Sequence, residues 1–254
     1  ALGWWIYSCV MQEGDKARNW RSRWRWIWVW AVWMACLFHW TSYLLRWYIG
    51  GRIPLGNGHE TMLFLAGFLL LCTCIWQRRF SFLLPAGLLL SGFTLLVAYL
   101  SEMNPQITPL MPVLLSPWLS LHVSLIMVSY ALFALMCLCS ILALGIRRHT
   151  WQRQRLTLFC RVLLYPAVLC LGIGIFIGAV WANVSWGSYW AWDPKEVWAL
   201  ITFMLYGMAF HVQSIPRFRN PYFFHWFLIV SFSAILMTYF GVNYVLGGMH
   251  SYAG

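Results

Sequence analysis

The chain has 254 residues, of which 62% are hydrophobic and only 9% charged, and its formal net charge at pH 7 is +11. A soluble globular domain carries about 25% charged residues, so this composition excludes an ordinary water-soluble domain. The basic residues lie between apolar runs rather than along one face, so the positive charge does not indicate a nucleic-acid partner. We therefore predict an all-α polytopic membrane bundle, with the lipid bilayer as its main solvent.

Seven runs are long and apolar enough to cross a hydrocarbon core about 30 Å thick, at about 1.5 Å per helical residue. In chain order the predicted spans are residues 26–45, 60–76, 80–100, 119–146, 162–181, 197–212 and 222–245. We expect a single membrane domain over residues 26–254, preceded by a separate N-terminal segment over residues 1–25. The apolar part of that segment is too short to span and has no basic start typical of a signal peptide, so we interpret it as the tail of an upstream helix.

Clusters of arginine orient the predicted spans. They precede the first span, follow the second, and separate the fourth from the fifth and the sixth from the seventh: Arg18, Arg21, Arg23, Arg25; Arg78, Arg79; Arg147, Arg148, Arg153, Arg155, Arg161; Arg217, Arg219. All four clusters fall on one side if the spans alternate, and the positive-inside rule makes that side cytoplasmic. Only Arg46, Arg52 and Lys195 fall on the opposite side, which we call the outer side.

An aromatic stretch, WGSYWAWDPKE at residues 186–196, joins the fifth and sixth spans on the outer side, and we call it the tryptophan segment. Tryptophan and tyrosine are common at membrane interfaces, so simple anchoring is one interpretation. The end of the segment also predicts a helix start, with Asp193 as N-cap, Pro194 at the first position and Glu196 closing a capping box. A third interpretation is a surface that holds a large, flat, apolar ligand.

Histidines lie near the same side. His122 is close to the outer start of the fourth span, and His250 lies just beyond the outer end of the seventh. Imidazoles from two helices can ligate a haem iron from opposite sides, and a porphyrin also needs flat aromatic walls. His211 lies inside the predicted sixth span, roughly 20 Å deeper, where an ionisable side chain usually has a functional reason.

The cysteines do not indicate a disulfide framework or a metal site. Six of them lie inside predicted spans: Cys36, Cys72, Cys74, Cys137, Cys139 and Cys170. Residues two apart on a helix point to nearly opposite faces, so neither close pair forms a chelate, and we expect these thiols to pack as small apolar groups. The sequence contains no C-x-x-C-H motif, so the chain is not itself a c-type cytochrome.

The string WGSYWAWDPKEVWALI resembles the tryptophan-rich WWD signature of the haem-handling proteins of cytochrome c maturation, and its DPKE ending resembles the CcsA/ResC branch (system II) rather than CcmC or CcmF. Further similar stretches follow in order: RWYIGGRIPLGNGHETM at 46–62, LHVSLIMVSYALF at 121–133, YGMAFH ending at His211, and GVNYVLGGMHSY at 241–252. The resemblance covers nearly the whole chain from the first span onward.

The resemblance implies roles that spacing does not supply. It makes His122 and His250 the external ligands of haem iron, and His211 an intramembrane ligand that holds haem (iron protoporphyrin IX, haem b) on its way outward. It makes Trp186, Trp190, Trp192 and Asp193 of the tryptophan segment the surface that presents haem to apocytochrome c. Tyr189 is a further candidate for contact with haem, on the residues alone, as part of the same aromatic wall. The resemblance also implies an inner, cytoplasmic membrane or thylakoid location, with the tryptophan segment and the C-terminus outside.

The resemblance further implies a CcsB/ResB-like partner subunit and a shared haem lyase activity, in which haem vinyl groups are joined to the two thiols of an apocytochrome C-x-x-C-H motif. No acid–base pair on the outer side is assigned a catalytic role, since this chemistry depends on positioning. The family's second intramembrane histidine lies on the CcsB/ResB portion, which this sequence does not contain. His39 is an alternative at a shallower depth, and no role is assigned to His59.

Two other function classes stay open on the residues alone. A membrane b-type cytochrome for electron transfer also places histidines in spans, but it pairs them in opposing helices at similar depth. A haem transporter without an attachment role would use the tryptophan segment as a gate, and the series Gly172, Gly174 and Gly178 in the fifth span would either loosen that helix or allow close packing.

Overall fold

The computed structural model describes residues 15–78, 80, 82–100, 105–107, 109–110, 114–145 and 150–246. Its α-helices are α1 (Asp15–Gly50), α2 (Gly58–Trp76), α3 (Leu83–Leu100), α4 (Pro117–Gly145), α5 (Thr150–Trp186), α6 (Pro194–Met208) and α7 (Pro221–Leu236). A short 3-10 helix (Pro216–Arg219) precedes α7, and a π-helix (Met237–Leu246) continues it. The described residues contain no strand, so the all-α prediction is confirmed.

Several predictions concern residues outside this description. These predictions concern residues 1–11, Arg79, Arg147, Arg148 and His250. The same holds for the predictions about four arginine side chains before the first span: Arg18, Arg21, Arg23 and Arg25.

Six helices in the described part of the chain are long and apolar enough to cross a membrane. They are Trp26–Gly50, Gly58–Trp76, Leu83–Leu100, Pro117–Gly145, Gln152–Trp186 and Pro221–Val242. Each overlaps a predicted span, and the chain is a multi-pass membrane protein. The remaining predicted span forms α6, whose 15 residues extend about 22 Å, less than the roughly 30 Å of a hydrocarbon core.

The predicted end of the sixth span is wrong. That span was expected to reach Val212, but α6 ends at Met208 and His211 follows it in a turn. The turn is closed by i to i−3 bonds, in which the amide of Phe210 donates to Gly207 O and that of His211 to Met208 O, both at 3.1 Å. The apolar run continues past Met208 with Ala209, Phe210 and Val212. The hydropathy pattern therefore did not reveal where the helix ends.

The predicted fifth span was too short. It was expected over residues 162–181, but α5 has 37 residues, a length of about 55 Å. Such a helix is longer than the hydrocarbon core is thick. Its extra turns toward the C-terminus extend the helix beyond Trp181 to Trp186, the first residue of the tryptophan segment.

The chain divides into two compact units, Ala1–Pro54 with Gly58–Ile107, and Leu55–Asn57 with Thr108–Gly254. In the first unit α1 packs on α2 and α3 through a buried cluster that includes Val32, Cys36, Leu70, Cys74 and Leu84. The described cysteines are free thiols, and most of them are buried. They pack as small apolar groups, as predicted.

A buried carboxylate holds two arginines in the first unit. The Glu60 side chain is 1% exposed, and its Oε1 accepts from Arg46 Nε at 3.1 Å while its Oε2 accepts from Arg52 Nη1 at 2.8 Å. Arg46 also donates to the carbonyl oxygens of Pro105 and Gln106, at 2.6 and 3.1 Å. This cluster ties the end of α1 to the start of α2 and to residues 105–107.

In the second unit α4 and α5 run antiparallel, and side chains of each donate to backbone carbonyls of the other. The bonds are His122 Nδ1 to Gly174 O (2.7 Å), Ser129 Oγ to Ala167 O (2.8 Å), Cys160 Sγ to Met136 O (3.8 Å) and Arg153 Nε to Ala143 O (3.3 Å). Successive bonds are about seven residues apart in both helices, which is the heptad period of a left-handed helix pair. We call this series the heptad seam.

His225 attaches α7 to the heptad seam and is fully buried. Its Nε2 lies 2.9 Å from Thr157 Oγ1, and its Nδ1 lies 3.0 Å from Ser140 Oγ. The Thr157 hydroxyl donates to the carbonyl of Arg153, so its oxygen accepts from Nε2–H, and Nδ1 accepts from Ser140. Both ring nitrogens therefore have structural partners on α4 and α5.

Replacing Glu60 with glutamine is expected to lower the free energy of unfolding by about 3 kcal/mol, because it leaves two largely buried guanidinium groups without their carboxylate. Unfolding of the detergent-solubilised protein, followed by far-UV circular dichroism, measures the change. The double variant Glu60→Gln/Arg52→Gln should recover part of the loss, since both partners of one ion pair are then neutral. Equal stability of Glu60→Gln and the unmodified protein would contradict a structural role for the cluster.

Candidate functional site

The tryptophan segment begins where α5 ends. Gly187 adopts a left-handed backbone with φ 75°, and its amide donates to Asn183 O at 2.9 Å. This conformation is the usual way in which a helix is terminated by glycine, because glycine has no Cβ to oppose a positive φ. The chain then crosses to α6 in six residues without regular structure.

The start of α6 is the predicted capping box. Asp193 is the N-cap and accepts from the amide of Lys195 at 3.2 Å, while Glu196 accepts from the amide of Asp193, also at 3.2 Å. Pro194 occupies the first helical turn. Asp193 is 5% exposed, so its carboxylate lies beneath the segment as part of its support.

The aromatic side chains of the segment divide into two kinds. The indole of Trp186 packs edge-on against the buried Trp181, with ring centroids 4.8 Å apart. Trp190 is half-buried and meets Trp192 edge-on at 6.0 Å, with the ring planes at 87°. Trp192 and Tyr189 are 72% and 61% exposed. The segment thus combines anchored indoles with aromatic surface that faces outward.

His122 occupies the first position of the heptad seam, near the start of α4. Its imidazole lies over Gly178, where a Cβ would come within 2.6 Å of Nδ1, so only glycine admits the ring this close to α5. Because a carbonyl oxygen accepts only, Nδ1 carries the proton in its bond to Gly174 O. In the neutral ring the lone pair then lies on Nε2, and a backbone carbonyl on the other nitrogen is typical of metal-ligating histidines.

His122 and the tryptophan segment lie at the same end of the α4–α5 pair. Gly178, which seats the imidazole, precedes the end of α5 at Trp186 by about 12 Å of helix. His211 is exposed and lies at the opposite end of α6 from the tryptophan segment, about 22 Å away along the helix. His250, the predicted second external ligand, lies outside the described residues.

Two other histidines, His39 and His59, were considered in the comparison with the family, and both lie in the first unit. The Nε2 of His39 donates to Leu63 O at 2.8 Å, which ties α1 to α2 and is a structural role. His59 is half-buried near the start of α2. Within the described ranges, no group of three or more His, Cys, Asp or Glu side chains is arranged to hold a metal ion.

Residues 55–250 match the sequence profile of the cytochrome c assembly protein family. The chain belongs to this family. Its relatives include the protein NrfI of Wolinella succinogenes, 39% identical over 229 residues that cover 87% of this chain and 25% of NrfI. The cytochrome c biogenesis protein CcsA of Chlamydomonas reinhardtii is 35% identical over 228 residues, covering 82% of this chain and 63% of that protein.

CcsA of Prochlorococcus marinus strain MIT 9301 is 32% identical over 251 residues, which cover 82% of this chain and 79% of that protein. The chain therefore spans a quarter of the length of NrfI and more than half of the length of the two CcsA proteins. The family suggested by the tryptophan segment is thus confirmed.

The structure gives two glycines a role at the site that the sequence did not assign to them. Gly174 supplies the carbonyl that orients His122, and Gly178 supplies the space for its ring. Their four-residue spacing, which places both on one face of α5, was the available signal. It was interpreted only as a packing or flexibility feature, since nothing in the sequence pairs α5 with His122.

The pKa of Lys195 is lowered to about 8 from its usual 10.5, because burial penalises the ammonium and outweighs the attraction of Asp193. The charged form is thus disfavoured by folding, so stability should rise as the pH increases from about 8 to about 10.5. Acetylation of Lys195, followed by mass spectrometry across this pH range, should reach half its maximal rate near pH 8. The same lysine in guanidinium-unfolded protein is the control, and an identical midpoint near 10.5 in both states would contradict the effect.

Proposed function

We propose that this chain is the haem-binding membrane subunit of a cytochrome c synthase, which presents haem on the outer side for covalent attachment to apocytochrome c. Support comes from its family, from relatives named as cytochrome c biogenesis proteins, and from the arrangement around His122. The observation that carries the proposal is the His122 Nδ1 bond to Gly174 O at 2.7 Å. It presets the tautomer that binds iron through Nε2, at the end of the helix pair that also carries the tryptophan segment.

In this proposal His122 and His250 would each supply a ring nitrogen to the haem iron. The exposed rings of Tyr189 and Trp192 offer apolar aromatic surface to the porphyrin, with Trp190 beside them and with Trp186 and Asp193 as support. The arginine clusters predict that both histidines and the segment are on the outer side. Haem is the cargo of this site, and it leaves with the product.

The attachment reaction requires positioning more than acid–base catalysis. Each cysteine thiol of the apocytochrome adds across one haem vinyl group: a C–S bond forms to one vinyl carbon, and the thiol hydrogen is added to the other. No external oxidant or reductant is consumed in this addition. Holding the two partners in place supplies much of the acceleration, and the histidine of the C-x-x-C-H motif then replaces one of the two histidines of the chain at the iron.

His211 is proposed to hold haem earlier on its path, within the membrane. If α6 begins at the outer interface, its length of about 22 Å places His211 still inside a hydrocarbon core of about 30 Å. Non-helical backbone at such depth is tolerated only where protein or a water-filled cavity surrounds it. The exposed His211 therefore favours a partner at this position, for which a CcsB/ResB-like subunit with a second intramembrane histidine is the proposed candidate.

Replacing His122 with glycine should abolish the haem absorbance of the purified protein and the formation of holocytochrome c in cells, and the same change at His250 should do likewise. Added imidazole occupies the vacated position and should restore the haem spectrum of His122→Gly, which separates a lost ligand from a misfolded protein. Full haem content and activity in both glycine variants would refute the proposal. Loss of one respiratory activity, rather than of all c-type cytochromes, would favour an electron-transfer cytochrome b.

Replacing Gly178 with alanine should weaken haem binding by at least about tenfold, because the new Cβ displaces the His122 ring from its carbonyl partner. The matched control is Gly92→Ala in α3, where a Cβ meets no atom within 4 Å and where alanine is expected to stabilise the helix. Haem titrations of both variants measure the difference. Equal haem affinities of the two alanine variants would show that the packing of His122 against Gly178 does not affect haem binding.

A further inference from the structure

Trp192 has an unusual backbone. Its φ is 57°, and among the described residues it is the non-glycine residue that adopts a positive φ. The left-handed conformation is unfavourable for an L-residue, and for a bulky side chain it is uncommon. Such a residue persists only where its surroundings enforce the conformation, and strained backbone of this kind is concentrated at functional sites.

Glu196 enforces the conformation of Trp192. One of its carboxylate oxygens, Oε2, accepts from the amide of Asp193 at 3.2 Å and also from the amide of Ala191 at 2.9 Å. The first bond belongs to the ordinary capping box, but the second does not. Two amides that flank a left-handed residue converge on a single anion, an arrangement known as a nest, and here the anion is the side chain of Glu196.

The consequence of this arrangement is the placement of an indole. Trp192 is 72% exposed and stands edge-on to Trp190. The solvent-facing ring gains little packing from its own chain, so the backbone at residues 191–193 largely determines where it points. A cap that served α6 alone would not need the bond to Ala191.

We propose that Glu196 is a positioning residue, which holds Trp192 in its left-handed conformation and thereby orients the exposed indole toward the bound haem. The haem part of this inference rests on the proposed function. The positioning part concerns the protein free of haem and stands without it.

The first test uses the haem-free protein labelled with 5-fluorotryptophan, in which the fluorine resonance of Trp192 is assigned by its absence from Trp192→Phe. Glu196→Ala should shift or broaden this resonance and leave that of the buried Trp181 in place. The matched control is Asn220→Ala, which removes the N-cap of α7, a 2.9 Å bond to the amide of Tyr222, far from the segment in sequence. A Trp192 resonance unchanged in Glu196→Ala would overturn the inference.

The second test is haem affinity. Glu196→Ala should bind haem about tenfold more weakly, in keeping with the cost of the left-handed conformation. Glu196→Gln, which retains an acceptor oxygen, should lose less, and Asn220→Ala should bind as the unmodified protein does. If Glu196→Ala moves the Trp192 resonance but leaves the haem affinity unchanged, the proposed role of Glu196 in haem binding is wrong. Absence of haem binding by the unmodified protein would instead refute the proposed function and leave the positioning result intact.

If Glu196→Ala fails to fold, the double variant Glu196→Ala/Trp192→Gly separates the causes. Glycine adopts φ near 57° without strain, so this variant should regain most of the lost thermal stability if Glu196 acts through residue 192. A stability loss that is the same with tryptophan or glycine at position 192 would show that Glu196 is only a helix cap.

Discussion

The heptad seam between α4 and α5 is the interaction on which the second unit depends. Apolar side chains gain little from one another in lipid, because the surrounding tails are equally apolar, so helix pairs in membranes rely on close packing and interhelical hydrogen bonds. Here those bonds recur every seventh residue from Arg153 at one end to His122 at the other. The proposed haem ligand is thus an element of the packing itself, and its tautomer is set by the register of two helices.

The same seam determines where the tryptophan segment lies. Because α5 is held in one register against α4, its last turns deliver Trp181 and Trp186 at a fixed height beyond Gly178. The segment then runs between two rigid ends, a glycine-terminated helix on one side and the capping box of α6 on the other. The exposed aromatic rings are therefore carried by a short loop with little freedom, which suits the presentation of a flat ligand in one orientation.

Much of this arrangement could be predicted from the sequence, wherever the signal was local. Hydropathy located the spans, and the capping box at Asp193 and Glu196 followed from residue types three positions apart, because both signals are local. The seat of His122 on Gly174 and Gly178 could not be predicted, since it depends on which helices pair and in which register. The end of α6 was not predicted because a helix can end in the middle of an apolar run. The positive φ of Trp192 was not predicted because tryptophan is not a residue type that favours a left-handed backbone.

The basic residues on the predicted outer side differ from the arginine clusters in having acidic residues close to them. Arg46 and Arg52 are exceptions to the arginine distribution, and both are bound to Glu60 in the first unit. Lys195 is the third, and it lies in the first turn of α6 beside the carboxylates of the capping box. Each basic group on this side is thus close to an acidic one within its own unit, whereas the arginine clusters belong to the side that the positive-inside rule predicts to be cytoplasmic. The carboxylates of Asp193 and Glu196 already accept from backbone amides of the tryptophan segment and of α6. The haem recognition that we propose there would therefore depend on shape, stacking and iron ligation more than on charge.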